Sequence, residues 1–91
     1  MTNAIITIKN RTGLHARPAS DFIAIAMKHS CRITICRTSD HIEVNAKSIM
    51  KMLAMAFAQG EEIELKAQGD DEAEAIKELS AFLESGCGEK Q

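Results

Sequence analysis

Tryptophan and tyrosine are absent and phenylalanine occurs three times, so any core this chain builds is aliphatic, drawn from a hydrophobic fraction of 45% that includes five methionines. There is no excess of positive charge: 11 basic residues face 13 acidic ones, for a net charge of −2. A chain of that balance has no basic surface to neutralise a phosphate backbone, which excludes nucleic acid as a partner. No apolar run approaches the roughly 18 residues of a membrane span, and residues 1–10 lack the charged start and apolar middle of a signal peptide. The expectation is a cytoplasmic protein with no membrane span. The three cysteines, Cys31, Cys36 and Cys87, make an odd number at spacings that fit no metal framework. Neither a secreted disulfide scaffold nor a zinc site built with His29 and His41 is expected, and the thiols are read as reduced. With 91 residues there is room for one domain, 1–91, and one core.

The single proline, Pro18, fixes a boundary. From Ala16 onward the apolar residues Ala19, Phe22, Ile23, Ala26 and Met27 fall on one face of a helix, with Ile25 off the stripe. Pro18 fits that helix only in its first turn, where no backbone N–H is needed, so the helix begins at about Ala16 with His15 at its cap. Before it, Ala4, Ile6 and Ile8 alternate with Ile5, Thr7 and Lys9 as a strand buried on one face. Arg32–Arg37 and His41–Val44 read as a hairpin across Thr38, Ser39 and Asp40. Asn45 to Gln59 is helical in composition, with Ile49, Met52, Leu53 and Ala56 on one face and Gly60 as the stop. Glu62–Ala67 alternates charged and apolar residues. Asp70 and Asp71 then cap a last helix with Ala75, Ile76, Leu79, Phe82 and Leu83 buried and Gly86 at its end. The order β-α-β-β-α-β-α, with strands polar on alternate positions, predicts an α+β fold: an open-faced, two-layer sandwich with all helices on one side of the sheet.

A histidine at the point where a strand hands over to a helix is placed for anion chemistry. Neutral imidazole is a nucleophile, and the first-turn N–H groups can hydrogen-bond a phosphoryl group on the ring, with Arg17 adding a charged donor. From spacing alone, the commoner reading makes His15 a capping or turn residue and Arg17 a solvated charge. Ser48, ahead of an apolar helical run, is on the same terms an N-cap.

Gly13, Leu14, His15, Ala16, Arg17, Pro18, Ala19, followed by Asn45, Ala46, Lys47, Ser48, Ile49, Met50, closely resembles the HPr family, the histidine-containing phosphocarriers of the bacterial phosphotransferase system. The likeness runs from Ile5 to about Glu89. It implies a four-stranded antiparallel sheet under three helices. It also implies a carrier rather than an enzyme in its own right, monomeric and without cofactor or metal. His15 would take a phosphoryl group on Nδ1 from enzyme I, itself charged by phosphoenolpyruvate, and pass it to an enzyme IIA domain in sugar uptake. Arg17 matches the arginine that stabilises the phosphohistidine. Ser48 matches a regulatory serine acted on by a dedicated kinase/phosphorylase. Ile49, Met50 and Leu53 correspond to the apolar patch that docks partners, bordered by Ser20 and Phe22, and Glu89 to an acidic residue that approaches the arginine. Met50 lies off the buried stripe, and its flexible thioether suits a surface with more than one partner.

Two features depart from the family pattern. The hairpin around Thr38–His41 is longer than usual, and Asp21 puts a negative charge one turn from His15. His29 and His41 match no functional position and are expected to be solvated. Two other readings stay open: a regulatory binding module of the same family that works through the patch and Ser48, and a carrier of the nitrogen-related branch. A stand-alone hydrolase is disfavoured, since no carboxylate or serine completes a triad with His15.

Overall fold

The computed structural model describes residues 1–87. Four strands, β1 (Thr2–Thr7), β2 (Arg32–Arg37), β3 (Ile42–Asn45) and β4 (Glu62–Gln68), form one antiparallel sheet in the order β1-β4-β2-β3. Register follows the apolar alternation. Ile6 faces Ile63 across β1 and β4, and Ile35 faces Leu65 across β2 and β4, so the apolar set shares one face. Three helices cover that face: α1 (Arg17–Met27), α2 (Ile49–Met55) and α3 (Glu72–Glu84). α3 packs on β1 and β4, α2 on β3, and α1 against both of the other helices. The other face is wet. Lys66 Nζ lies 3.1 Å from Glu43 Oε1, and Asn3 Nδ2 donates to Glu64 Oε2 at 2.7 Å. The expected open-faced sandwich is the observed fold.

Between the layers sit Phe22, Phe57, Leu14, Met52, Ile33, Ile35, Ile63, Leu65, Leu79 and Leu83, all fully buried. Two boundaries differ from the sequence reading. Asn45 belongs to β3, opposite Thr34, and α2 starts only after Ser48, whose hydroxyl accepts the Lys51 N–H at 3.3 Å. The helix then stops at Met55, well before Gly60, because Ala56 takes a left-handed conformation (φ 50°) that sends Phe57 into the core. Composition marked a helical stretch, but the cap and the core residue set its ends. In α1 the buried stripe is the narrower Ala19, Phe22, Ala26, and Met27, the last residue of the helix, is 62% exposed.

At the far end of the molecule His29 is not solvated as expected. Its ring is only 11% exposed, with Nδ1 3.1 Å from Asp71 Oδ2 and Nε2 2.8 Å from Glu78 Oε1. Asp71 sits at the N-cap position of α3 but spends its carboxylate on the chain before β2, accepting the Ser30 and Cys31 N–H groups at 3.1 Å each. Burial alone would raise its pKa. The hydrogen bonds from Cys31, Ser30 and His29 outweigh that and hold it at about 2, against an ordinary 3.8. A carboxylate whose pKa falls on folding adds stability that is complete above 3.8 and is lost as pH drops toward about 2. Thermal unfolding of the Asp71→Asn variant should therefore depend less steeply on pH across that window than unfolding of the wild type. Equal slopes would rule out this role for Asp71.

Candidate functional site

The loop from Asn10 to Ala16 carries the site, and its shape is set by buried backbone contacts. Asn10 is fully buried at the end of the first apolar run. It donates from Nδ2 to the Gly13 carbonyl at 2.6 Å, and its own carbonyl accepts the Gly13 N–H at 3.1 Å. Gly13 has φ +67°, and a Cβ there would lie 2.1 Å from the Phe57 carbonyl oxygen. That close approach requires glycine. Leu14 is fully buried, and its N–H donates to the same Phe57 oxygen at 2.9 Å. The segment leading to His15 is thus hung on the residue just past α2.

His15 follows, exposed, and α1 opens at Arg17 with Pro18 in its first turn. Ala16 rather than His15 is the N-cap, at φ 52°, ψ −124°, a backbone region that L-residues seldom occupy. The corner at Ala16 sets His15 immediately ahead of first-turn N–H groups that have no intrahelical acceptor. Among the described residues no side chain caps this helix, and its first turn holds no acidic residue, which leaves the positive end of the dipole suited to an anion. Arg17 is 92% exposed. Its Nε lies 3.9 Å from Asp21 Oδ2, a loose pair one helical turn apart. A surface pair of that kind is worth at most about 1 kcal/mol, so Arg17 is readily released to a stronger anion. The departure at Asp21 thus bears on Arg17 directly. Arg17, Pro18 and Asp21, with Ala24, Ile25, Phe82 and Cys87, line an open groove of about 650 Å³ between α1 and α3, where Ile25 finds its place.

The expected docking residues divide. Met50 is 80% exposed, Ile49 39% and Leu53 38%, three large apolar side chains on the surface of a helix that packs against α1. Ser20 is exposed on α1. Phe22 is fully buried, a core residue beneath this surface and not part of its border, as its place on the α1 stripe implied. Ser48 is the N-cap of α2 and half-buried. Glu89 lies outside the described residues. His41, at the hairpin tip, is exposed with φ 58°. Asn10, Phe57 and Arg37 were not singled out from the sequence, although all three shape this region. Only the glycine three residues after Asn10 hinted that its amide closes a turn.

Among the described residues, no group of three His, Cys, Asp or Glu side chains is gathered as for a metal ion, and no helix is long and apolar enough to cross a membrane. All three cysteines are buried, and the Cys87 thiol donates to Asn10 Oδ1 at 3.3 Å.

The family model for the PTS HPr component phosphorylation site matches residues 2–85. The crystal structure of HPr-C-His from Thermoanaerobacter tengcongensis is similar to the whole chain, with a TM-score of 0.95 at 47% identity and full coverage of both chains. The HPr-like protein Crh of Bacillus subtilis is 37% identical over 84 residues, 92% of this chain and 96% of its own length. The phosphocarrier protein NPr of Proteus mirabilis is 38% identical over 84 residues, 92% of each chain. A multiphosphoryl transfer protein of Haemophilus influenzae is 37% identical over 84 residues, and there the chain spans only 17% of the relative's length. By the family match along nearly its whole length, and by a fold that coincides with a solved member, this chain belongs to the HPr family of phosphocarrier proteins.

Proposed function

We propose that this chain carries a phosphoryl group on His15 Nδ1, received from an enzyme I charged by phosphoenolpyruvate and handed to enzyme IIA domains in sugar uptake. The observation that carries the reading is an exposed histidine directly ahead of a helix N-terminus that no side chain among the described residues caps, beside an Arg17 held in a loose ion pair. In the transfer, the Nδ1 lone pair attacks the phosphorus of the donor phosphohistidine in line. The donor N–P bond breaks as the new one forms, and the donor imidazole leaves neutral. Little covalent work falls to the carrier, which positions the ring and spreads charge from the phosphoryl oxygens onto first-turn N–H groups and Arg17. Each such contact is modest, so the group is held but remains transferable. In this reading the carrier works as a monomer in the cytoplasm.

Ile49, Met50 and Leu53, with Ser20 on α1, form the docking surface for both partners in this reading. For Met50→Glu, the KM of enzyme I for this protein should rise tenfold or more, equivalent to about 1.4 kcal/mol per tenfold, with kcat and thermal stability little changed. A wild-type KM in that variant would remove Met50 from the interface. Ser48 is the proposed regulatory position. A phosphate there adds a charge of about −1.5 to −2 beside Met50 and opposes docking on an acidic partner surface.

A second reading, transfer in the nitrogen-related branch, is favoured by the likeness to the Proteus mirabilis NPr. One experiment separates the two. The protein is incubated with phosphoenolpyruvate and, in turn, the enzyme I of each branch, and the acid-labile adduct is followed by mass. Fast charging by the sugar-branch enzyme is the expected result. Charging only by the other enzyme selects the second reading, and no adduct with either overturns both.

A further inference from the structure

Arg37 lies at the end of β2 and takes no part in the chemistry described above, yet it is only 17% exposed. Its guanidinium has a neighbour at each nitrogen, although the buried Nε meets its carboxylate as an ion pair outside hydrogen-bond geometry. Nη1 lies 3.0 Å from Asp40 Oδ2, Nε lies 2.7 Å from Glu61 Oε2, and Nη2 donates to the Met55 carbonyl. The plane stands over the Phe57 ring, 5.3 Å from its centroid. Met55 is the last residue of α2, and its carbonyl is one of the helix-end acceptors that lack an intrahelical donor. Glu61 serves as a bridge: while one oxygen meets Arg37, the other accepts the Ala58 N–H at 2.7 Å. Arg37 thus fixes the turn that runs from the left-handed Ala56 through Phe57 and Ala58. On that turn, the Phe57 carbonyl is the acceptor from which Leu14, and so the His15 loop, is suspended.

We infer that Arg37 is a positioning residue for phosphoryl transfer. By holding the turn from Ala56 to Ala58 rigid, it sets where His15 and the C-terminal end of α2 stand relative to one another. This deepens the proposed function and rests on it. Arg37 belongs to β2, Met55 to α2, Glu61 to the turn just ahead of β4, and Leu14 to the loop before α1. One planar fork therefore ties the sheet to the two segments that must meet a partner together. Lysine could keep one of these contacts but not three divergent ones, because the fork geometry belongs to arginine.

The test compares Arg37→Met, which keeps much of the stem volume, with Arg37→Lys. Two quantities are read: amide hydrogen exchange at Leu14 relative to Leu65 in the centre of the sheet, and steady-state charging by enzyme I. In Arg37→Met, Leu14 should exchange about tenfold faster relative to Leu65, and kcat should fall by a similar factor with a smaller change in KM, as expected when a reacting group is misplaced without loss of contact surface. Arg37→Lys should fall between that variant and the wild type, and it serves alone if the methionine variant does not fold. Leu14 protection and kcat both at wild-type values would overturn the inference, as would an equal loss of protection at Leu14 and Leu65, which marks a purely global role. Failure of the wild type to be charged would instead strike the proposed function, and the Leu14 comparison would still decide whether Arg37 holds the loop.

Discussion

Replacing His15 with alanine is expected to abolish phosphorylation by enzyme I completely, because no other histidine in the chain can stand in. His29 is nearly enclosed, with a carboxylate oxygen against each ring nitrogen, so neither nitrogen is open to a donor. His41 is exposed but lies at the tip of a hairpin, with no helix N-terminus behind it to receive an anion. His15 alone combines exposure with first-turn N–H groups and a neighbouring arginine that is almost fully exposed. The variant should fold as the wild type does, since an exposed side chain that makes no core contact is removed. Mass measurement after incubation with phosphoenolpyruvate and enzyme I should show one acid-labile phosphoryl group on the wild type and none on His15→Ala. An acid-labile group that persists on the variant would mean that the carrier histidine has been misassigned.

Gly13→Ala should have the largest effect of any substitution that leaves the functional side chains in place. The new Cβ would run into the Phe57–Ala58 peptide, 2.1 Å from the Phe57 oxygen and 2.9 Å from the Ala58 Cα, and no rotamer change relieves contact with backbone. The left-handed conformation costs about 1–2 kcal/mol for an L-residue, and overpacking a tight site adds about 1–3 kcal/mol. In a domain of this size that corresponds to a fall in melting temperature of more than about 10 °C. The loop cannot swing away without breaking the Leu14 hydrogen bond that suspends it. A displaced His15 should therefore slow charging, by about a hundredfold for a shift near 1 Å. Gly60→Ala provides the comparison. That residue has φ +89° but open space around it, so only the conformational cost applies and charging should be unaffected. Equal effects at the two glycines would show that the close approach to Phe57 is unimportant.

Much of this architecture is legible in the chain itself. β1 and β4 follow from strict alternation, and Pro18 placed the start of α1 within one residue. The limits of α2 were only partly legible. Ser48 reads as a cap and is one, but composition extends the helix past both true ends, and the C-terminal stop depends on a left-handed alanine that delivers Phe57 to the core and leaves no periodic trace. His29 reads as solvated in sequence for a related reason: the carboxylates that enclose it come from Asp71 and Glu78, far along the chain. At the site, His15, Arg17 and Ser48 stand out by motif, and Ile49, Met50 and Leu53, which the resemblance marks as a docking patch, are exposed. The supports beneath them, Asn10, Phe57 and Arg37, act through backbone carbonyls and amides. Such partners depend on the fold and not on residue type, so spacing could not reveal them.

Attachment at one atom, His15 Nδ1, can be read by nitrogen and phosphorus NMR of protein labelled at its histidine rings, recorded during charging by phosphoenolpyruvate and enzyme I. The expected result is a single phosphorus signal coupled to the Nδ1 nitrogen of His15, with the rings of His29 and His41 unchanged. Phosphorus bound at Nε2 of His15, at another histidine or at a hydroxyl would contradict it.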